Sequence, residues 1–175
     1  MNIRRLSSSD ALAYQAVRLA GLREAPLAFA SSHAEEKEFA IAILEARLAV
    51  KADRGSFGAF ENDVLVGVVT LGREDKLKLA HKAFIWGMYV VPGARRKGTG
   101  RALLAEALAL ARALPVIRQI NLSVTASNAG ALQLYESLGF RSFGREPNAL
   151  LVDGELHDEI HMYLDLADTS RQPQR

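Results

Sequence analysis

Residues 83–101 run Ala83-Phe84-Ile85-Trp86-Gly87-Met88-Tyr89-Val90-Val91-Pro92-Gly93-Ala94-Arg95-Arg96-Lys97-Gly98-Thr99-Gly100-Arg101. The first nine are a nearly continuous apolar run without polar alternation, the pattern of a central strand buried on both faces. Pro92-Gly93 ends that strand. Gly98-Thr99-Gly100 opens a helix predicted to reach Leu114, with Leu103, Leu104, Ala107, Leu108 and Ala111 facing inward and Pro115 closing it. Strand, glycine-rich turn and helix together gather unpaired backbone N–H groups at a positive helix terminus, which is a geometry for binding an anion. Glycine at 98 and 100 lets the main chain approach a phosphate without an intervening Cβ, and Arg96, Lys97 and Arg101 add charge around it. The ligand expected there carries a phosphate or pyrophosphate.

Two nucleotide-binding glycine patterns fail against this turn. A GxxxxGK[ST] loop would place Thr99 where its phosphate-clamping lysine belongs and Gly100 where Ser or Thr belongs. The dinucleotide fingerprint GxGxxG would need a glycine where Leu103 stands. What fits is [QR]xxGx[GA], carried by Arg95, Gly98 and Gly100 directly after the strand.

Outward from this centre the chain alternates strands and helices. Asn2 to Leu6 is predicted as a strand, and Asp10 as the cap of a helix whose inner face is Leu12, Ala16, Leu19 and Ala20, ending before Pro26. Ser32 and Glu35 have capping-box spacing at the head of a second helix, with Phe39, Ile43, Ala46 and Val50 continuing its apolar stripe. Phe57 to Phe60 and Val64 to Leu71 are two strands turned at Asn62-Asp63, residue types that tolerate positive φ. Ile120, Leu122 and Val124 alternate with polar residues in a further strand, Ser127 or Asn128 caps a helix ending at Gly139, and Arg141 to Arg145 and Leu156 to Leu166 are the last strands. The fold class is α/β around one mixed sheet.

Composition narrows the function classes. A chain of 175 residues with 49% apolar and 24% charged residues suits one globular domain, expected over residues 1–167, with residues 168–175 as a frayed tail. No apolar run is long enough to cross a bilayer, and Met1-Asn2-Ile3-Arg4-Arg5 leads into serines and not into a signal-peptide core, so a cytoplasmic location is expected. Zero cysteines exclude disulfides and thiolate chemistry, and the four histidines form no HExxH pair, so no metal centre is expected. A net charge of +2, concentrated at Arg95-Arg96-Lys97 and Arg101 without interleaved aromatics, argues against nucleic acid as a partner.

The glycine-rich turn resembles the coenzyme-A signature of the GNAT N-acetyltransferase superfamily. Asn128-Ala129-Gly130-Ala131-Leu132-Gln133-Leu134-Tyr135-Glu136-Ser137-Leu138-Gly139-Phe140 is similar to that family's NxxAxxLYExLGF block, in the expected order and spacing. The resemblance covers roughly residues 83–145. It implies a mostly antiparallel mixed sheet of six to seven strands with helices on both faces, and acetyl-CoA as co-substrate. It further implies that main-chain N–H groups from Arg96 through Lys97, Gly98, Thr99 and Gly100 to Arg101 cradle the pyrophosphate. Main-chain groups of Met88, Tyr89 and Val90 would pair with the pantetheine arm, Asn128 would contact it, and Arg95 would serve either the ligand or the turn. Tyr135 is implied as the general acid that protonates the departing thiolate.

The general base is open at the level of sequence. Ser123 stands where ribosomal-protein alanine acetyltransferases carry a glutamate and cannot take that role, which leaves water-mediated deprotonation or a carboxylate or histidine from elsewhere, with Glu155, His157, Glu159 and His161 near the last strand as candidates. Trp86, Phe29 and His33 are candidates to line an acceptor pocket. The acceptor implied is a small-molecule amine. A non-catalytic acyl-CoA-binding module and a protein N-terminal acetyltransferase are the competing readings. The resemblance also allows a homodimer formed through the apolar face of Ile160, Met162, Leu164 and Leu166.

Overall fold

The computed structural model describes residues 1–166, so the predicted tail at 168–175 and the domain boundary at 167 lie outside the described residues. The elements run β1 (Asn2–Arg5), α1 (Ala11–Glu24), α2 (His33–Glu36), α3 (Ile41–Leu48), β2 (Gly55–Glu61), β3 (Val64–Arg73) and β4 (Lys82–Val90). They continue with α4 (Thr99–Arg112), β5 (Gln119–Thr125), α5 (Ala129–Glu136), β6 (Arg141–Val152) and β7 (Glu155–Asp165). The seven strands form one sheet in the order β1-β2-β3-β4-β5-β7-β6, in which β4 and β5 are parallel and every other neighbouring pair is antiparallel. No helix among the described residues is long and apolar enough to cross a membrane.

Local chemistry accounts for most of the turns. Asn62 and Asp63 take φ of 49° and 62°, the positive values that let a two-residue turn follow the twist of β2 and β3. Asp153 and Gly154 do the same between β6 and β7, at 51° and 84°. Gly139 leaves α5 at φ 94°, and Asn128 caps the start of that helix by accepting a hydrogen bond from the Ala131 N–H at 3.1 Å.

Helices α4 and α5 cover one face of the sheet, and α1 to α3 the other. On α4, Leu103, Leu104, Ala107, Leu108 and Ala111 are all buried as the periodicity requires, each leucine contributing about 1.5–3 kcal/mol by leaving water. The opposite face corrects two expectations. The inner stripe of α1 is Ala11, Tyr14, Val17, Arg18, Gly21 and Leu22, while Leu12 is 72% exposed, because the stripe includes an arginine and is rotated from the purely apolar choice. The capping box of Ser32 and Glu35 forms, with Ser32 N–H donating to Glu35 Oε2 at 2.7 Å and Glu35 N–H to Ser32 Oγ at 3.2 Å. The helix stops at Glu36 all the same, and the chain restarts as α3, burying Glu36, Leu44 and Leu48 and leaving Ile43 and Val50 exposed.

Two strand expectations also change. β4 is not buried throughout: Ala83, Ile85 and Tyr89 are buried, whereas Trp86, Gly87 and Met88 are only half-buried because they border an opening in the sheet. β7 inserts between β5 and β6, so Met162 and Leu164 are buried and Ile160 and Leu166 pack on the same core. That face is therefore not open to a second copy of the chain.

Candidate active site

The sheet parts between its two parallel strands. β4 and β5 pair from Lys82↔Gln119 to Phe84↔Asn121, and beyond that point β4 continues to Val90 and β5 to Thr125 with a cleft between them. A bulge sits in the middle of this open stretch of β4. Thr70 faces Trp86 and Val68 faces Tyr89, so Gly87 and Met88 share one opposite residue, and Gly87 adopts φ 63°, a value that favours glycine. The cleft holds about 450 Å³, and Met88, Tyr89, Val90, Thr125, Asn128 and Tyr135 are among its lining residues. A strand whose outer edge lacks a neighbour offers backbone donors and acceptors to an extended ligand.

At one end of the cleft lies the strand-to-helix turn. Arg96 and Gly98 take φ of 58° and 83°, and α4 begins at Thr99. Thr99 is buried, and its hydroxyl donates to the Ala94 carbonyl at 2.8 Å, so the turn is braced from within. Positive φ at alternate positions ahead of a helix curls successive N–H groups into a concave anion site. Arg95, Arg96 and Gly100 line the cleft, and a Cβ on Gly100 would approach the Met88 methyl at 2.9 Å and Leu134 at 3.3 Å.

The basic side chains divide by task. Arg95 donates from Nε to the Val90 carbonyl at 2.7 Å, pairs with Glu24 through both Nη atoms, and lies 5.4 Å over the Tyr89 ring. Its hydrogen bonds hold the Glu24 carboxyl below its usual range, and they tie the end of α1 to the turn. Arg101 reaches across to the Ser137 hydroxyl at 2.6 Å, joining α4 to α5. Lys97 stands 3.7 Å from Glu61, and it and Arg96 are exposed beside the turn.

Tyr135 comes from α5. It is 7% exposed, its ring meets Phe140 edge-on at 5.8 Å, and its hydroxyl donates to the Met88 sulfur at 3.5 Å. Burial pushes the phenol up to about 12. A thioether is a weak acceptor, so this proton is held loosely beside the bulge.

A second cavity of about 570 Å³ adjoins the cleft and shares Trp86, Gly87, Ser123 and Glu159 with it. Ser123 Oγ is 3.0 Å from His161 Nδ1, and His161 Nε2 is 2.7 Å from Glu146 Oε2. Burial raises the Glu159 carboxyl, Glu146 adding to the rise and His161 opposing it. Of the predicted pocket residues, Phe29 and Trp86 line this cavity, whereas His33 is drawn outward to Arg23 Nε at 2.9 Å. Among the base candidates, Glu159 and His161 line it, while Glu155 is exposed at the head of β7 and His157 pairs with Leu150. Sequence reasoning missed Arg18, Glu36 and Arg47, which also line it. The available signal was an arginine set among Tyr14, Val17, Gly21 and Leu22 on one helical stripe.

This arrangement, a parted sheet with an anion-binding turn and a buried phenol along the opening, belongs to an α/β acyl-group transferase. The sequence matches the Acetyltransferase (GNAT) family over residues 19–140, and the chain belongs to that family. A comparison with curated protein sequences found no match. Among solved structures, it is similar to an acetyltransferase of the GNAT family from Streptococcus pneumoniae at 21% identity and TM-score 0.82, covering 94% of this chain and 99% of that one. A ribosomal-protein-alanine N-acetyltransferase from Brucella melitensis follows at 23% identity and TM-score 0.78, covering 95% and 100%. A phosphinothricin acetyltransferase from Sinorhizobium meliloti in complex with acetyl-CoA matches at 19% identity and TM-score 0.79, covering 99% and 93%. At these identities the likenesses establish the shared fold.

Proposed function

We propose that the cleft binds acetyl-CoA and that the chain transfers the acetyl group to the primary amine of a small molecule, in the cytoplasm and without a metal. The observation that carries this reading is the open edge of β4 running from the glycine-rich turn to Tyr135. Acetyl-CoA supplies an activated thioester. The residues present suit it: the curled backbone at 96–101 meets the pyrophosphate, the main chain of Met88, Tyr89 and Val90 meets the pantetheine arm, and Asn128 closes the other side. The Val90 carbonyl accepts from Arg95, and the N–H groups around the bulge are the donors that polarise the thioester oxygen, fixed donors at a developing oxyanion being a large catalytic term.

Tyr135 holds a proton at all ordinary pH values and gives it to the sulfur as the carbon–sulfur bond breaks. On the acceptor side, Glu146 accepts from His161 Nε2–H, which leaves Nδ1 as the nitrogen that accepts from Ser123. A proton leaving the acceptor ammonium passes to Ser123 Oγ while the Ser123 proton moves to His161 Nδ1. The freed amine then bonds to the acetyl carbon, and the carbon–sulfur bond breaks as Tyr135 protonates the sulfur. The second proton lost by the nitrogen returns through solvent to the Tyr135 oxygen, and the proton on His161 leaves to solvent. The phosphinothricin acetyltransferase among the similar structures supports a small acceptor.

The test is titration calorimetry with acetyl-CoA, followed by a panel of small amines scored by free-thiol release. Saturable binding with amine-dependent thiol release is expected. No heat of binding would refute the cleft assignment, and binding without turnover of any amine would leave an acyl-CoA-binding module in its place.

A further inference from the structure

The cavity beside the cleft has walls of opposite charge. On one side Arg18, 4% exposed on α1, donates from Nε and Nη2 to Glu36 at 3.0 and 2.7 Å and from Nη2 to Ser31 Oγ at 2.9 Å. Its guanidinium lies 4.4 Å over the Phe29 ring, and its Nη1 is buried with no hydrogen-bond partner. That atom points at the bulge, for a Cβ on Gly87 would lie 3.3 Å from it. Arg47 of α3 approaches the same carboxylate, with Nη1 3.5 Å from Glu36 Oε2 but outside hydrogen-bond geometry, and this Nη1 is likewise buried and unpartnered. The Arg47 guanidinium lies 5.4 Å from the Trp86 ring, and that of Arg18 5.8 Å.

Two guanidiniums therefore share one carboxylate. Burial pushes Glu36 up, yet the hydrogen bonds from Arg18 and Ser31 outweigh it and the group is held ionised. One positive charge is left over in the wall of the cavity, and a partly buried charge without a full partner is costly unless something pairs with it. The same cavity also carries negative charge: Glu159 lines both cavities, and Glu146 is hydrogen-bonded to His161.

We infer that the acceptor carries an anionic group, carboxylate or phosphinate, in addition to its amine, with the anion on the Arg47 and Arg18 wall and the amine beside Glu159 and Ser123. Arg47, 22% exposed, makes the direct contact, and Arg18 supports it from beneath. Trp86 and Phe29 line the same cavity. A monoamine lacking the anion leaves Nη1 of Arg18 and of Arg47 without a hydrogen-bond partner, and an acid lacking the amine meets Glu159. This inference rests on the acetyltransferase reading of the adjoining cleft.

Trp86 is the one tryptophan of the chain and lies beside both guanidiniums, so its fluorescence reports binding without turnover. The probes are phenylalanine, phenylalanine amide, phenethylamine and phosphinothricin, applied to the full chain with and without acetyl-CoA. The acids are expected to perturb the emission and to bind on the order of 10–100-fold more tightly than the amide and the monoamine, the scale of a charge-assisted contact. The same preference is expected in kcat/KM. Arg47→Met should remove the preference with acetyl-CoA affinity unchanged, and Arg47→Lys, which keeps the charge, should retain part of it, with melting temperatures establishing that both variants fold. Equal or better binding of the amide and monoamine, or an unchanged preference in Arg47→Met, overturns the inference. Preferential binding of the acids without acetylation of any probe keeps the anion site on Arg47 and Arg18 and overturns the acetyltransferase reading on which its role as an acceptor site rests.

Discussion

Replacing Tyr135 by phenylalanine separates chemistry from packing, because the structure gives the hydroxyl so little else to do. Its partner is a thioether sulfur at 3.5 Å, while the ring contributes the edge contact with Phe140 and a place in the main core cluster. Removing the oxygen therefore deletes a weak hydrogen bond worth well under about 1 kcal/mol and relieves the desolvation of a buried hydroxyl. Tyr135→Phe is expected to melt within a few degrees of the wild type and to bind acetyl-CoA within about threefold. General acid catalysis contributes roughly 10²–10⁴-fold, so kcat should fall by that factor, about 2.7–5.4 kcal/mol at 1.36 kcal/mol per tenfold. Thiol release at saturating acetyl-CoA, with an amine accepted in the panel, measures it. Because the phenol is held at about 12, the wild-type kcat should show no downturn near pH 10, where an ordinary tyrosine would lose its proton. An unchanged kcat in Tyr135→Phe would remove this residue from the reaction, and a large fall in melting temperature would make it a packing residue.

Two further perturbations address the cleft and the fold. Gly100→Asp places a carboxylate at the turn where a Cβ already crowds the Met88 methyl, so acetyl-CoA affinity should drop by about 100-fold or more with the melting temperature within a few degrees, and calorimetry showing wild-type affinity would refute the phosphate assignment. Asp10 is held at about 2, first by its hydrogen bonds from Arg4 and then by the Ser7 N–H. A depressed carboxylate stabilises above its unfolded value and loses that contribution as pH falls through the folded one. Urea melts should accordingly show Asp10→Asn less stable by about 1–2 kcal/mol at pH 6, after allowance for solvent screening, with the gap closing between about pH 4 and pH 2. A gap independent of pH would mean that the charge of Asp10 does not matter.

What could be read from the residues follows how local the responsible interactions are. The five inward residues of α4 and the turn at Asn62-Asp63 obey rules that span four residues or fewer, and both appear in the structure as the sequence implies. The same holds for Tyr135 and Asn128 bordering one cleft, since both lie in one continuous block. The inner face of α1 differs from the sequence expectation because Arg18 is a core residue through Glu36, eighteen positions away, and no periodicity announces such a pair. Ser123 and His161 meet because β7 lies against β5 in one particular register. That register also turns Met162 and Leu164 inward, which is why a face that looked available for assembly is core.

The order of the strands leaves β1 and β6 at the margins of the sheet, and the two margins protect themselves differently. β1 is only four residues long and carries Arg4 and Arg5, too short and too charged to template another strand. β6 spans twelve residues, long enough to recruit a neighbour through its unpaired backbone. Its pairing with β7 is broken twice, between Ser142 and Gly144 and between Glu146 and Leu150, and the second break contains Pro147, which has no N–H to offer, and Asn148 at φ 55°. Arg145 and the Asn148 N–H are both held by Asp158 of β7, at 2.7 and 2.9 Å, which keeps this kink turned back on its own sheet. Among the described residues the longest free border of the sheet is thus crumpled where a straight one would invite stacking into fibres, and the irregularity that makes β6 hard to read in sequence also opposes edge-to-edge pairing.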